Sequence, residues 1–110
     1  MFIRTRNNGH IMEQINSERF KQEIDNAELT IMDIYTDWCT PCKRIAPMLE
    51  ELSCEGYRVF KVNAEEERDL CLEYNILAVP TLLIFKGGNQ VDKIGGMISK
   101  EQLIERLTNA

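Results

Sequence analysis

The stretch that decides the fold is TIMDIYTDWCTPCKRIAPMLEELSCEG, residues 30–56. It begins with an apolar and β-branched run, 30–36, which predicts a buried strand. Cys39 and Cys42 follow directly, and the apolar residues after them recur at helical spacing as far as Gly56, a residue type that commonly ends helices. The stretch therefore predicts a strand, a turn that carries two cysteines, and a helix.

The segments on either side extend this alternation of strands and helices. A short apolar segment begins at Met12, and Asn16 or Ser17 after it can cap a first helix. A second long strand is predicted over 57–63. The acidic residues 65, 66 and 67 then suit the positive end of a helix that runs through Leu70 to Tyr74.

The last third of the chain changes character. Residues 81–85 and 90–94 flank the sequence Lys-Gly-Gly-Asn at 86–89, which predicts an antiparallel hairpin. Ser99 and Gln102 then form a capping box before a terminal helix. The whole order, β-α-β-α-β-α-β-β-α, predicts an α/β domain with a mixed sheet covered by helices on both faces.

The composition and net charge of the chain limit the classes of protein to which it can belong. The chain has 110 residues, of which 44% are hydrophobic and 28% charged, as is typical of one globular domain. Its net charge is −5, and it has no basic cluster, so a nucleic-acid partner is disfavoured. No apolar run approaches the roughly 20 residues that cross a bilayer, and the first residues lack the apolar stretch of a signal peptide. We therefore expect a cytoplasmic protein with no membrane partner.

The chain divides into a short extension and one domain. Residues 1–11 show no periodicity and contain the sole histidine, His10. Chain termini of this kind are commonly mobile, so we expect a flexible extension in which the histidine is solvated. Residues 12–110 are expected to form the single domain, and a mechanism that depends on histidine is disfavoured.

The spacing of the four cysteines is compatible with either a metal site or a redox pair. Structural zinc needs four ligands close together. Cys54 lies 12 residues beyond Cys42 on the same predicted helix, which is about 18 Å at a rise of ~1.5 Å per residue. Cys71 would leave the set incomplete, since a second C-x-x-C is missing and the sole histidine lies in the extension. We therefore predict no metal site.

The redox interpretation has a physical basis in the position of the pair. The N-terminus of a helix stabilises anions, so the pKa of the Cys39 thiol is expected to be lowered there. Pro41 fits the first turn because it has no N–H, which leaves the amide of Cys42 as the chief donor to Cys39. Cys42 is expected to be more buried and less acidic. These positions suit Cys39 as nucleophile and Cys42 as resolving cysteine.

The string Trp38-Cys39-Thr40-Pro41-Cys42-Lys43 resembles the active-site signature of the thioredoxin family. The resemblance extends from about Ile15 to Leu107. It implies a thioredoxin fold, with a mixed sheet of about five strands and about four helices. It also implies a redox-active disulfide between the two cysteines, and Pro47 matches the kink in the family's active-site helix.

Two charged residues interrupt apolar runs of the sequence. Asp33 lies within Ile-Met-Asp-Ile-Tyr and Lys61 within Val-Phe-Lys-Val. From the residues alone, edge-strand positions that face water are the simpler interpretation, since lone charges are seldom fully buried. The resemblance favours the alternative, in which Asp33 is buried. It implies that Asp33 is a buried proton acceptor for Cys42 and that Lys61 tunes its charge.

The resemblance also implies a surface that binds client proteins. Pro80 alone could simply open a strand, whereas the family's pattern implies a cis peptide bond between Val79 and Pro80. An exposed backbone at Val79 could then pair with an extended segment of a client. The residues expected to contact clients are Trp38, Thr40, Pro41, Ala78, Val79, Pro80, Gly95 and Gly96.

These features together predict a protein disulfide reductase that exchanges a dithiol for a client's disulfide and needs no bound cofactor. The expected partners are a reductase that donates electrons and the client proteins, with the chain as a monomer. Thr40 replaces the glycine usual in thioredoxins, so a more oxidising oxidase or isomerase stays open, as does a thioredoxin-fold interaction module. Cys54 and Cys71 are expected to be bystanders, with a regulatory or dimer-forming thiol at Cys71 as the alternative.

Overall fold

The computed structural model describes residues 12–110. The strands and helices alternate in the order predicted from the sequence. In chain order they are β1 Glu13–Gln14, α1 Ser17–Glu23, β2 Thr30–Tyr35, α2 Thr40–Cys54, β3 Arg58–Asn63, α3 Arg68–Glu73, β4 Thr81–Lys86, β5 Asn89–Gly95 and α4 Lys100–Thr108.

The five strands form one mixed sheet in the order β1-β3-β2-β4-β5. β3 pairs parallel with both β1 and β2, whereas β4 pairs antiparallel with both β2 and β5. β2 is therefore the central strand. Its burial on both faces explains why its sequence is nearly continuous in apolar residues rather than alternating.

Each face of the sheet carries its own hydrophobic core, because successive side chains of a strand point to opposite faces. Ile31 of β2 packs in one core with Leu49 of α2 and Leu103 of α4. Met32 packs in the other core with Phe20 of α1 and Leu70 of α3. Two helices thus cover each face, and the predicted fold class is confirmed.

Short sequence patterns predicted most of the helix starts and turns correctly. Asn16 caps α1 by accepting a hydrogen bond from the backbone N–H of Arg19 at 2.9 Å, and the capping box of Ser99 and Gln102 is present at α4. The hairpin turns through residues 87 and 88, both glycines with positive φ of 60° and 86°. That conformation favours glycine because it lacks a Cβ.

The helix predicted to start at residues 65–67 begins later, at Arg68. Residues 64–66 form a turn instead, in which Asn63 Oδ1 accepts a hydrogen bond from the backbone N–H of Glu65 at 2.9 Å. The Glu67 carboxylate accepts hydrogen bonds from the backbone N–H and the hydroxyl of Ser17, at 2.9 and 2.7 Å, instead of capping its own helix. Its partner lies 50 residues away in the chain, so the local pattern could not reveal it.

The predicted extension, residues 1–11 with His10, lies outside the described residues. Between residues 12 and 110, the helices are all too short or too polar to cross a membrane.

Candidate active site

The cysteine pair lies at the N-terminus of α2, which follows the central strand β2. Cys39 is the N-cap residue of α2, with extended backbone angles, and its Sγ accepts a hydrogen bond from the backbone N–H of Cys42 at 3.2 Å. Pro41 occupies the first turn, where its missing N–H leaves no backbone donor unpaired. The donor to Cys39 is therefore the amide predicted from the sequence.

Cys39 and Cys42 form a disulfide, with their Cα atoms 5.3 Å apart. The expectation that Cys42 is more buried is not met in this oxidised form, since the two residues are 5% and 4% exposed. They differ instead in the surface that each one faces. Cys39 lines a groove on one side of the disulfide, and Cys42 lines a cavity on the other.

The surface on the Cys39 side, which we call the front groove, has a volume of about 790 Å³. Five of the eight predicted client contacts line it: Trp38, Thr40, Pro41, Ala78 and Val79. Residues that the sequence analysis did not assign to it complete its lining. These are Ala64, Arg68, Cys71, Leu72, Ile76 and Leu77.

Two of these additional residues are strongly exposed apolar side chains. Leu72 is 79% and Leu77 86% exposed, more than Trp38 at 67%. A signal for Leu72 was present in the sequence. It follows the buried Leu70 by two positions in α3, and residues two apart in a helix do not share a face. Leu77 lies in the loop that follows α3, where no periodicity reveals its orientation.

Three predicted contacts lie outside the lining of the front groove: Pro80, Gly95 and Gly96. Pro80 is buried, and its carbonyl accepts a hydrogen bond from the backbone N–H of Gly96 at 2.9 Å. The cis peptide bond between Val79 and Pro80 that the resemblance implied is present. This hydrogen bond joins the loop before β4 to the end of β5.

Asp33 is only 2% exposed, and β2 is the middle strand of the sheet. The alternative in which Asp33 faces water from an edge strand is therefore wrong. Burial raises the pKa of its carboxyl to about 7, and the positive charge of Lys61 opposes that rise. Lys61 is the residue beside Asp33 in the register of β2 and β3, and its Nζ lies over the Tyr35 ring, 5.4 Å from the centroid.

The cavity on the Cys42 side, which we call the rear cavity, has a volume of about 160 Å³. It brings together three residues that the sequence analysis grouped by role: Cys42, Asp33 and Lys61. A carboxyl group with a pKa near 7 can exchange a proton at neutral pH. The rest of the lining consists of Met12, Tyr35, Thr36, Asp37, Lys43, Ala46 and Glu50.

The two remaining cysteines are not part of the disulfide, and they differ in burial. Cys71 is half-buried and lines the front groove, where burial and then the negative charge of Glu67 raise the pKa of its thiol. Cys54 is exposed at the end of α2. Within residues 12–110, His, Cys, Asp and Glu form no group of three or more that could hold a metal ion.

Comparison with known proteins identifies the family. The sequence model of the Thioredoxin family matches residues 11–109. Thioredoxin 1 of Nostoc sp. is 37% identical over 98 residues, which cover 86% of this chain and 92% of the relative. The thioredoxin of Synechocystis sp. has the same identity and coverage.

Solved structures agree with these sequence relatives. The crystal structure of a Malassezia sympodialis thioredoxin superposes with a TM-score of 0.79 at 28% identity, covering 91% of this chain and 90% of that one. A mutant thioredoxin from Halobacterium salinarum also gives 0.79, at 27% identity, covering 88% of this chain and 89% of that one. With a C-x-x-C disulfide at the N-terminus of α2, the chain belongs to the thioredoxin family of thiol-disulfide oxidoreductases.

Proposed function

We propose that the protein reduces disulfides in client proteins, with Cys39 as nucleophile and Cys42 as resolving cysteine. One observation carries this assignment of roles. Cys39 faces the open front groove and also accepts the hydrogen bond of the first-turn amide, whereas Cys42 faces the rear cavity with Asp33. Nucleophile and proton acceptor thus lie on opposite sides of the disulfide.

The reaction consists of two thiol-disulfide exchanges. The Cys39 thiolate attacks one sulfur of the client's disulfide, and the other client sulfur leaves as a thiolate. Cys42 then attacks Cys39, its proton passes to Asp33, and the second client sulfur leaves. The client disulfide is reduced by two electrons, and the Cys39–Cys42 disulfide forms.

Asp33 suits the role of proton acceptor because of its surroundings. Burial alone would keep the carboxyl protonated, while Lys61 favours its ionised form. With a pKa of about 7, the carboxyl is partly protonated and partly ionised at neutral pH. A general base needs both forms, because it accepts a proton and must later release it. We therefore assign Lys61 to tuning Asp33.

The direction of transfer is assigned from the charges around Cys39. The Cys39 sulfur accepts a hydrogen bond from one backbone amide, and the intervening Thr40 and Pro41 carry no charge. Because the Cys39 thiolate receives only this modest stabilisation, the disulfide is favoured over the dithiol. The dithiol therefore gives up its electrons readily and acts as a reductant.

The reduction potential of the Cys39–Cys42 disulfide tests this direction. Equilibration with glutathione is expected to give a value near about −270 mV, typical of thioredoxins, rather than the roughly −120 mV of a strong oxidant. Thr40→His places an ionisable imidazole beside the thiolate and is expected to raise the potential. A wild-type value above about −200 mV would favour the oxidase or isomerase.

Clients are proposed to dock along the front groove with apolar side chains next to their disulfide. Trp38, Leu72 and Leu77 supply exposed apolar surface around Cys39, and apolar patches of this kind mark protein partners. Pro80, Gly95 and Gly96 stay in the proposal as client contacts, although they lie outside the lining of the front groove.

Leu77→Asp is expected to lower kcat/KM for insulin reduction about tenfold, because a charge replaces apolar contact area. The rate with a small aromatic disulfide, which has no polypeptide to dock along the groove, should stay within about twofold. Val91→Asp is the matched control, since Val91 is also an exposed apolar residue but lies on β5 outside the groove. Equal losses in the two variants would contradict docking along the groove.

The remaining partners follow from the redox cycle. A reductase must return electrons to the Cys39–Cys42 disulfide after each turnover, and we propose that the chain meets it as a monomer through the same groove. We assign the reaction to the cytoplasm, where the redox poise keeps dithiols reduced. The two thiols themselves carry the electrons, so the proposed cycle uses no bound cofactor.

A further inference from the structure

Two buried polar atoms on the Cys42 side of the disulfide have no hydrogen-bond partner among residues 12–110. They are Oδ1 of Asp33 and Oγ1 of Thr36. Thr36 is 5% exposed, and both residues line the rear cavity with Cys42. A buried polar group without a hydrogen bond destabilises the folded state, so a common partner for these two atoms is expected.

The rear cavity has the size and polarity to supply that partner as water. Its volume of about 160 Å³ is several times the ~30 Å³ that one water molecule occupies in the liquid. Buried waters are found where about three polar groups can bind them, and Thr36 and Asp33 provide two. The reduced Cys42 thiol, in the same lining, provides a third.

We propose that Thr36 is a positioning residue: its hydroxyl fixes an ordered water between the Asp33 carboxylate and the Cys42 thiol, on the path that the Cys42 proton takes to Asp33. The inference rests on the dithiol mechanism proposed above. As the Cys42–Cys39 bond forms, the bond from Cys39 to the client sulfur breaks, and its electron pair leaves with the client. The Cys42 proton ends on Asp33 and is later released to solvent, from which the client thiolate takes a proton.

Charged and titratable groups face this water from every element around the cavity. Tyr35 and Asp37 come from β2 and the turn after it, Lys43 and Glu50 from α2, and Lys61 from β3. All of them stay unchanged when only Thr36 is replaced. A water that donates to the Asp33 carboxylate favours its ionised form, so loss of the Thr36 hydroxyl should raise the pKa of Asp33 further.

The test follows the resolving step directly. Reduced protein in which serine replaces Cys54 and Cys71, so that only the active-site pair reacts, is mixed with 5,5′-dithiobis(2-nitrobenzoate), and Cys42 attack appears as a second, first-order release of thionitrobenzoate. Thr36→Val removes the hydroxyl at nearly constant volume, whereas Thr36→Ser keeps it. We expect Thr36→Val to slow the second release about fivefold at pH 6, the factor given by one ordinary hydrogen bond. At pH 9 it should approach the wild-type rate, and Thr36→Ser should follow the wild type throughout.

A second comparison separates proton transfer from packing. In an Asp33→Asn background, Thr36→Val should cause no further slowing, because the proton acceptor is already absent. The proposal is overturned if Thr36→Val slows the reaction equally at pH 6 and pH 9, has no effect, or behaves like Thr36→Ser. If the wild type shows no second release at all, the dithiol mechanism itself fails.

Discussion

Replacing Cys39 by serine is expected to lower insulin reduction by dithiothreitol to the uncatalysed rate, a loss on the order of a thousandfold or more. A serine hydroxyl stays protonated at neutral pH and does not attack disulfides, whereas a thiolate does. Cys39 is also the only residue of the disulfide pair that lines the front groove. Turbidity from the released insulin chains measures the rate.

Cys54→Ser is the matched control for this variant. It makes the same chemical change at the far end of the same helix, where the side chain is exposed, and should leave the rate unchanged. An interaction module would bind clients without reducing them, so its wild type would show no turnover. Activity that survives in Cys39→Ser would contradict the assignment of the nucleophile.

The second large effect concerns stability. Asp33→Asn is expected to stabilise the oxidised protein by about 4 kcal/mol at pH 9 and to leave the free energy of unfolding nearly unchanged at pH 4. The Asp33 carboxyl has a pKa of about 7 in the native state against an ordinary value of 3.8. Ionising it inside the fold therefore costs free energy that a neutral amide of the same shape avoids.

The sign of the pH dependence follows from proton binding. Between about pH 4 and pH 7 the native state keeps a proton on Asp33 that the unfolded chain has already lost, so wild-type stability falls as the pH rises through this window. Denaturant unfolding of wild type and variant at several pH values measures the difference. Asp25→Asn, at an exposed position, should show no such trend, and a constant difference for Asp33→Asn would contradict the expectation.

Several features could be predicted from the sequence because the interactions that produce them span only a few residues. The hydrogen bond from the Cys42 amide to Cys39 could be predicted because Cys39 precedes a helix and Pro41, which has no N–H, lies in the first turn. The turn at Gly87 and Gly88 follows from residues that adopt positive φ. In each case the partner lies within a few positions along the chain.

The burial of Asp33 could not be predicted in this way. Its neighbours along the chain are equally compatible with a strand that faces water, and the resemblance to a family was needed to favour the buried alternative. Asp33 is buried because β3 and β4 pair on either side of β2, which brings Lys61 and Leu82 beside it, and because α2 covers the face of the sheet from which its side chain projects. Those contacts join residues far apart in the sequence.

The same limit applies to the two surfaces beside the disulfide. Leu72 and Leu77 come to lie near Trp38 only when α3 packs against the sheet. Thr36, Asp33 and Cys42 come together only where the turn after β2 and α2 line the rear cavity. The sequence by itself determined the reactive pair, the helix end that carries it and the order of the elements, since these depend on local spacing. Tertiary structure alone decided which side of the disulfide opens onto the front groove and which side meets the buried carboxyl, because packing of distant segments creates both surfaces.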